Sequence, residues 1–134
     1  MELEVIKIAE NTTNYKYIKD YSHKYKHKNS ICGDEIEITL KIRDKKIIDF
    51  GYQTKSCIYC QASASLLSRI SKNKKIYEVN KFLKIAKDLF QDEHELTQKY
   101  WISFNSIFKK DNYKRKDCLL LPVNALKKII NRYD

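Results

Sequence analysis

The chain has 134 residues and is 43% hydrophobic, which is enough for one ordinary domain (1–134) that buries a core without disulfide staples. Its net charge is +10, but the 27 basic residues are 23 Lys and only 4 Arg, spread as +2 over 1–30, zero over 31–67, +5 over 68–110 and +3 over 111–134. With no clustered basic stripe, no nucleic-acid module motif and no apolar run near the ~20 residues of a membrane helix, neither nucleic acid nor membrane is an expected partner.

In chain order, residues 3–10 (LEVIKIAE) place Leu3, Ile6, Val5 and Ala9 on one face of a short helix. Residues 11–20 read as irregular. The alternation in YSHKYKHK (21–28) predicts an exposed edge strand, whose lysines discourage edge-to-edge pairing. In EIEITLKIR (35–43), Ile36, Ile38, Leu40 and Ile42 alternate with polar residues, and Ile48, Phe50, Tyr52 and Thr54 do so after the turn DKK. That is a β-hairpin over 35–54. A helix follows at 58–70, with small residues Ala62 to Ser65 for close packing and Leu66, Leu67 and Ile70 for the core. A second helix at 76–90 puts Val79, Phe82, Leu83, Ala86, Leu89 and Phe90 on one face. A third is expected at 95–108, using Leu96, Tyr100, Phe104, Ile107 and Phe108. A basic loop covers 109–117, and a last helix is expected at 121–131, where Pro122 suits the first turn. Strands first and helices after give an α+β fold: about three antiparallel strands with helices packed on one face.

The four cysteines are Cys32, Cys57, Cys60 and Cys118. The opening stretch MELEVIKIAENTT is acidic and lacks the apolar core of a signal peptide, so the expected compartment is the cytoplasm, with reduced thiols. There, clustered cysteines favour metal or sulfur chemistry over staples. The C-x-x-C of Cys57 and Cys60 admits a redox dithiol, half a zinc knuckle or part of an iron–sulfur site. The redox reading needs a βαβ context that this order of elements does not supply. Cys60, one helical turn on, reads better as a small buried hydrophobe than as a ligand or a resolving thiol.

Cys32, Asp34, Cys57 and Cys118 all fall at predicted element ends, with Gly33 allowing a tight bend between the first two. The sequence alone does not bring those ends together. If they meet, three thiolates and one carboxylate form a tetrahedral donor set suited to zinc or an iron–sulfur cluster. The carboxylate is the harder, weaker donor, so the set reads as one that releases its contents. Asp34 also has a plainer reading as a turn or cap residue; its C-G-D context favours the ligand. Helix N-termini at Cys57 and Cys118, and Lys114, Arg115 and Lys116 beside the latter, favour thiolate, which is what a persulfide acceptor needs. His23 and His27 lie among lysines, and His94 lies in QDEHEL; all three read as solvated surface. The Tyr–Lys stretch from Tyr15 to Tyr25 superficially resembles a single-strand binding surface, but no OB or RRM pattern accompanies it.

CGDEIEI (32–38), the hairpin, CIYCQASASLL (57–67) and the cysteine in KRKDCLLLPVNAL (114–126) occur in an order that resembles the NifU N-terminal / IscU / SufU family of iron–sulfur cluster assembly scaffolds, over about residues 3–131. The resemblance implies a cluster, iron or zinc held on Cys32, Asp34, Cys57 and Cys118. It also implies a cysteine desulfurase as sulfur donor and apo-proteins as acceptors. The chain would be a carrier rather than an enzyme, holding a transient [2Fe–2S] cluster, with Cys118 and Cys57 as candidate persulfide acceptors. The LPPVK chaperone motif of the IscU branch is absent, and Asp117 stands where that branch has His. Arg115 and Lys116 resemble the basic feature of the SufU branch, but the span from Cys57 to Cys118 is too short for its insertion. The alternatives are a zinc-dependent persulfide relay on the same ligands and, more remotely, a structural zinc domain that binds nucleic acid.

Overall fold

A computed structural model describes residues 3–30, 33–91, 96 and 99–133. The element order is α1 (Leu3–Ala9), β1 (His23–Lys28), β2 (Glu35–Arg43), β3 (Lys46–Lys55), α2 (Ile58–Ser71), α3 (Ile76–Ile85) and α4 (Lys116–Tyr133). The strands form one antiparallel sheet in the order β1-β2-β3, with β2 central. In β2 the alternation holds, with Ile36, Ile38 and Leu40 buried, as are Phe50 and Tyr52 of β3. The expected Ile48 is only half-buried and Ile47 takes the core position instead, where a register shift at Lys41/Ile42 breaks the alternation at the start of β3. Both α2 and α4 pack on the sheet.

The opposite face carries a strap. From α1 the chain pairs with the β3 edge, Lys16 N–H donating to the Tyr52 carbonyl (3.1 Å) and Tyr52 N–H to that of Asn14 (3.1 Å). It then crosses the sheet, where the Ile18 amide donates to Thr39 Oγ1 (3.1 Å). Gly51 makes this crossing possible. A Cβ there would lie 2.7 Å from the Lys16 carbonyl oxygen and 2.9 Å from Thr39 Oγ1.

Further expectations change as well. In α1 the buried residues are Val5 and Ala9, and Leu3 is exposed; with seven residues, one packed side of two residues suffices. The 76–90 helix keeps its apolar face, but only Ile76–Ile85 is α-helical and Ala86–Phe90 tightens to 3-10. A regular helix does not form over 99–108, where Ile102–Ser106 is a single 3-10 stretch; residues 95, 97 and 98 of the expected helix lie outside the described residues. The side chains still serve the core. Phe104, Ile107 and Phe108 are buried, Tyr100 is exposed, and the unforeseen Trp101 stacks on Phe82 with centroids 4.6 Å apart and planes 2° apart. Finally, α4 starts at Lys116 and contains Pro122, preceded by a 3-10 stretch at Lys110–Arg115 where a loop was expected.

His23 and His27 are half-buried rather than solvated. They alternate with the exposed Lys24, Lys26 and Lys28, and the His23 ring lies 5.4 Å from that of Tyr133 in α4. His94 lies outside the described residues.

Candidate metal centre

The site is built from three ends. The β1–β2 loop closes through Asn29 N–H to the Asp34 carbonyl (2.7 Å) and Gly33 N–H to that of Asn29 (2.9 Å). Gly33 has φ +79°, with nothing within 4 Å of a would-be Cβ. It is therefore there for backbone conformation and not for space. Across the sheet, Thr54 Oγ1 lies 2.6 Å from the Glu35 carbonyl oxygen and 2.8 Å from Ser56 Oγ. That contact ties the start of β2 to the end of β3, and so Asp34 to the segment leading into Cys57.

Cys57 is the N-cap of α2, with extended backbone (φ −69°, ψ 168°), and its thiol makes no capping bond. The Cys57 amide instead donates to Asp34 Oδ2 at 3.4 Å. Cys118 lies in the first turn of α4, rather than just before the helix. The result is that one ligand atom from each of Asp34, Cys57 and Cys118 lies within 4.8 Å of the others, all three half-buried. Among the described residues, no other group of three or more His, Cys, Asp or Glu side chains comes close enough to share an ion. Cys32, the fourth member of the expected set, lies outside the described residues.

The donor set fits a metal ion. Two thiolates on a tetrahedral ion with metal–sulfur bonds of about 2.3 Å stand roughly 3.8 Å apart. Contacts of 4.8 Å or less need about 1 Å of contraction to reach that, within the reach of side-chain rotation. The Arg115 guanidinium sits over the Tyr59 ring at 5.2 Å, bringing a cation from the approach to α4 against the first turn of α2.

Cys60 is not part of the set. It is fully buried, its Sγ is 3.9 Å from Thr54 Oγ1, and burial pushes its thiol up to about 12 despite hydrogen bonding from Ser56 and Thr54. A neutral, inaccessible thiol is a core residue. The sequence reading missed what the serines of α2 do. Ser63 Oγ donates to the Leu119 carbonyl (2.6 Å) and Ser65 Oγ to that of Asn11 (2.6 Å). They bond to neighbouring segments as well as packing closely, and their periodicity on the buried side of α2 was the available signal.

A small α+β domain that gathers two thiols and a carboxylate at the joined ends of a sheet and two helices carries a donor set that fits a metal ion. The model of the NifU-like N-terminal domain matches residues 2–134, and the chain belongs to that family. It is 37% identical over 60 residues to the iron–sulfur cluster assembly scaffold protein IscU 1 of Archaeoglobus fulgidus, a match spanning 45% of this chain and 37% of that protein. Two solved structures share the fold. A NifU-like N-terminal protein from Brucella abortus has TM-score 0.88 at 19% identity, covering 98% of this chain and 92% of its own. A protein named for iron–sulfur cluster assembly in the SUF system of Fervidobacterium islandicum has TM-score 0.87 at 21% identity, covering 97% and 96%.

Proposed function

We propose that this protein is an iron–sulfur cluster assembly scaffold: a carrier, not an enzyme, working in a reducing cytoplasm. It accepts sulfur from a cysteine desulfurase, binds iron, assembles a labile cluster of the [2Fe–2S] kind and passes it to apo-proteins. The observation that carries this reading is the meeting of Asp34, Cys57 and Cys118 within 4.8 Å in a chain of this family. The free thiols Cys57 and Cys60 fit a reducing compartment.

The two half-buried thiols divide the labour with the carboxylate. A thiolate at Cys118 or Cys57 attacks the terminal sulfur of the donor's persulfide. The donor's S–S bond breaks, the donor leaves as thiolate, and a new S–S bond forms on this chain. A dithiol reductant then supplies two electrons, is itself oxidised to a disulfide, and releases that sulfur as sulfide while the cysteine returns to its thiol form. Cys57, Cys118 and, by family resemblance, Cys32 hold the iron. Asp34 is the harder ligand that lets it go. A zinc-dependent persulfide relay on the same ligands is the second reading, favoured by Arg115 stacked against the first turn of α2.

Anaerobic reconstitution tests this. Metal-free protein is mixed with a cysteine desulfurase, cysteine, dithiothreitol and ferrous iron, with Cys57→Ser alongside. Iron and acid-labile sulfide gained together by the wild type alone support the scaffold. Absence of a cluster, with zinc-loaded protein accelerating the desulfurase and carrying a persulfide, replaces it with the relay. In the scaffold case Asp34→Ala holds its cluster longer and hands it to apo-ferredoxin more slowly; transfer at the wild-type rate removes the release role of Asp34.

A further inference from the structure

We propose that Ser63 is a positioning residue that sets the separation of Cys57 and Cys118. The proposal rests on the reading that these thiolates hold metal together. Cys57 opens α2, and Ser63 lies on the buried side of the same helix, fully enclosed. Its hydroxyl donates to the carbonyl of Leu119, the residue after Cys118, at 2.6 Å. This bond joins the two thiol-bearing helices from inside, one residue from a ligand.

The first turn of α4 departs from an ordinary helix at this point. An α-helix is held by N–H groups donating four residues back. Pro122 has no N–H to give the Cys118 carbonyl, so the ordinary helical bond at that ligand is missing by covalent structure. The next carbonyl, that of Leu119, is the one Ser63 takes. Carbonyl oxygens accept two hydrogen bonds, so the tie does not compete with the helix's own ladder. A hydroxyl here can be a specific device rather than mere small size, because Ser65 shows the alternative. Two residues on, it makes an equally short bond, but to Asn11 in the strap, away from both thiols.

That pair supplies the experiment. Ser63→Ala and Ser65→Ala each delete one oxygen, and alanine favours the helix, so both variants fold; far-ultraviolet circular dichroism checks this. Cadmium is titrated into metal-free full-length protein under anaerobic conditions, following thiolate-to-metal charge transfer, with urea midpoints measured on the same samples. Both variants lower the urea midpoint by similar amounts. Ser63→Ala alone weakens cadmium affinity, by tenfold or more, and reduces the charge-transfer intensity per ion. Ser63→Thr, which keeps the hydroxyl, recovers most of both. Wild-type affinity in Ser63→Ala, or equal weakening in Ser65→Ala, overturns the positioning role. Failure of the underlying reading looks different: wild type would not bind cadmium, or Cys57→Ser would bind as tightly.

Discussion

Cys60 offers a quantitative test of the difference between a ligand and a core thiol. Burial holds its thiol at about 12, against an ordinary 9.0. The folded protein therefore keeps a proton that the unfolded chain releases above pH 9. The sign follows: the stabilisation is complete below pH 9 and drains away as pH rises toward 12. At about 1.4 kcal/mol per pH unit, the full loss is on the order of 4 kcal/mol, of which roughly a third is gone by pH 10. Cys60→Ala removes this dependence, at the expense of a small cavity worth about 1 kcal/mol at neutral pH. The wild type is thus more stable at pH 7, and the two stabilities cross near pH 10. Tyr52, also pushed up mainly by burial, titrates in both proteins; its burial contribution cancels from the difference, and only its smaller coupling to the Cys60 charge does not. Urea denaturation with reductant at half-unit steps from pH 7 to 10.5 measures it. The same reasoning gives native alkylation by iodoacetamide at pH 8 about a thousandfold slower at Cys60 than at an ordinary thiol. Parallel stability curves, or Cys60 alkylated as fast as Cys57, would refute the assignment and return Cys60 to the chemistry of the site.

Two further predictions concern positions where the fold leaves little choice. Gly33→Ala costs about 1–2 kcal/mol through backbone conformation alone, and Gly33→Asn costs clearly less, because Asn tolerates positive φ; equal urea midpoints for the two variants would contradict this. Gly51→Ala, with ordinary φ but no room, costs about 1–3 kcal/mol as the strap is pushed off the sheet, and greater protease sensitivity within residues 12–20 is the accompanying sign. Trp101→Ala costs about 3–5 kcal/mol by opening the aromatic cluster with Phe82 and Phe104, whereas Trp101→Phe costs under about 1.5 kcal/mol. Thermal denaturation separates them, and similar midpoints would mean that the stacking carries little.

The parts of the fold legible in the sequence are those where one physical signal dominates. Ile36, Ile38 and Leu40 alternate strictly and face the core as expected, and Val79, Phe82 and Leu83 mark the buried side of α3. The spacing of Leu96, Tyr100, Phe104, Ile107 and Phe108 predicts a helix over 95–108. Tertiary packing of Trp101, Phe104 and Phe108 against Phe82 instead holds Ile102–Ser106 in tighter turns. Pro122 misplaced the start of α4. A proline suits a first turn, but here the helix begins at Lys116 and tolerates the proline inside it. That error moved Cys118 from a helical turn to a loop. The meeting of Asp34, Cys57 and Cys118 was legible only through family resemblance, since no local pattern states that three chain ends converge. The position of Ser63 and Ser65 on the buried side of α2 is visible in the sequence, but their bonding partners are not, because small size and hydrogen-bonding capacity look identical there.

The strap has a consequence for how the chain acquires its structure during synthesis. The bonds that fasten it reach forward in two stages, first to Thr39 and Tyr52 of the hairpin and then to α2, where Asn14 Nδ2 donates to Ser68 Oγ and Ser65 Oγ to the Asn11 carbonyl, each across 54 residues. At ribosomal speeds of ~5–20 residues per second, Asn11 and Asn14 wait about 3–10 s for the residues that hold them. The first segment made is among the last secured, and the hairpin and α2 must come first. Chains arrested shortly before α2 should show the strap cleaved readily by protease, and arrest after α2 should protect it; protection at the earlier length would reverse that order.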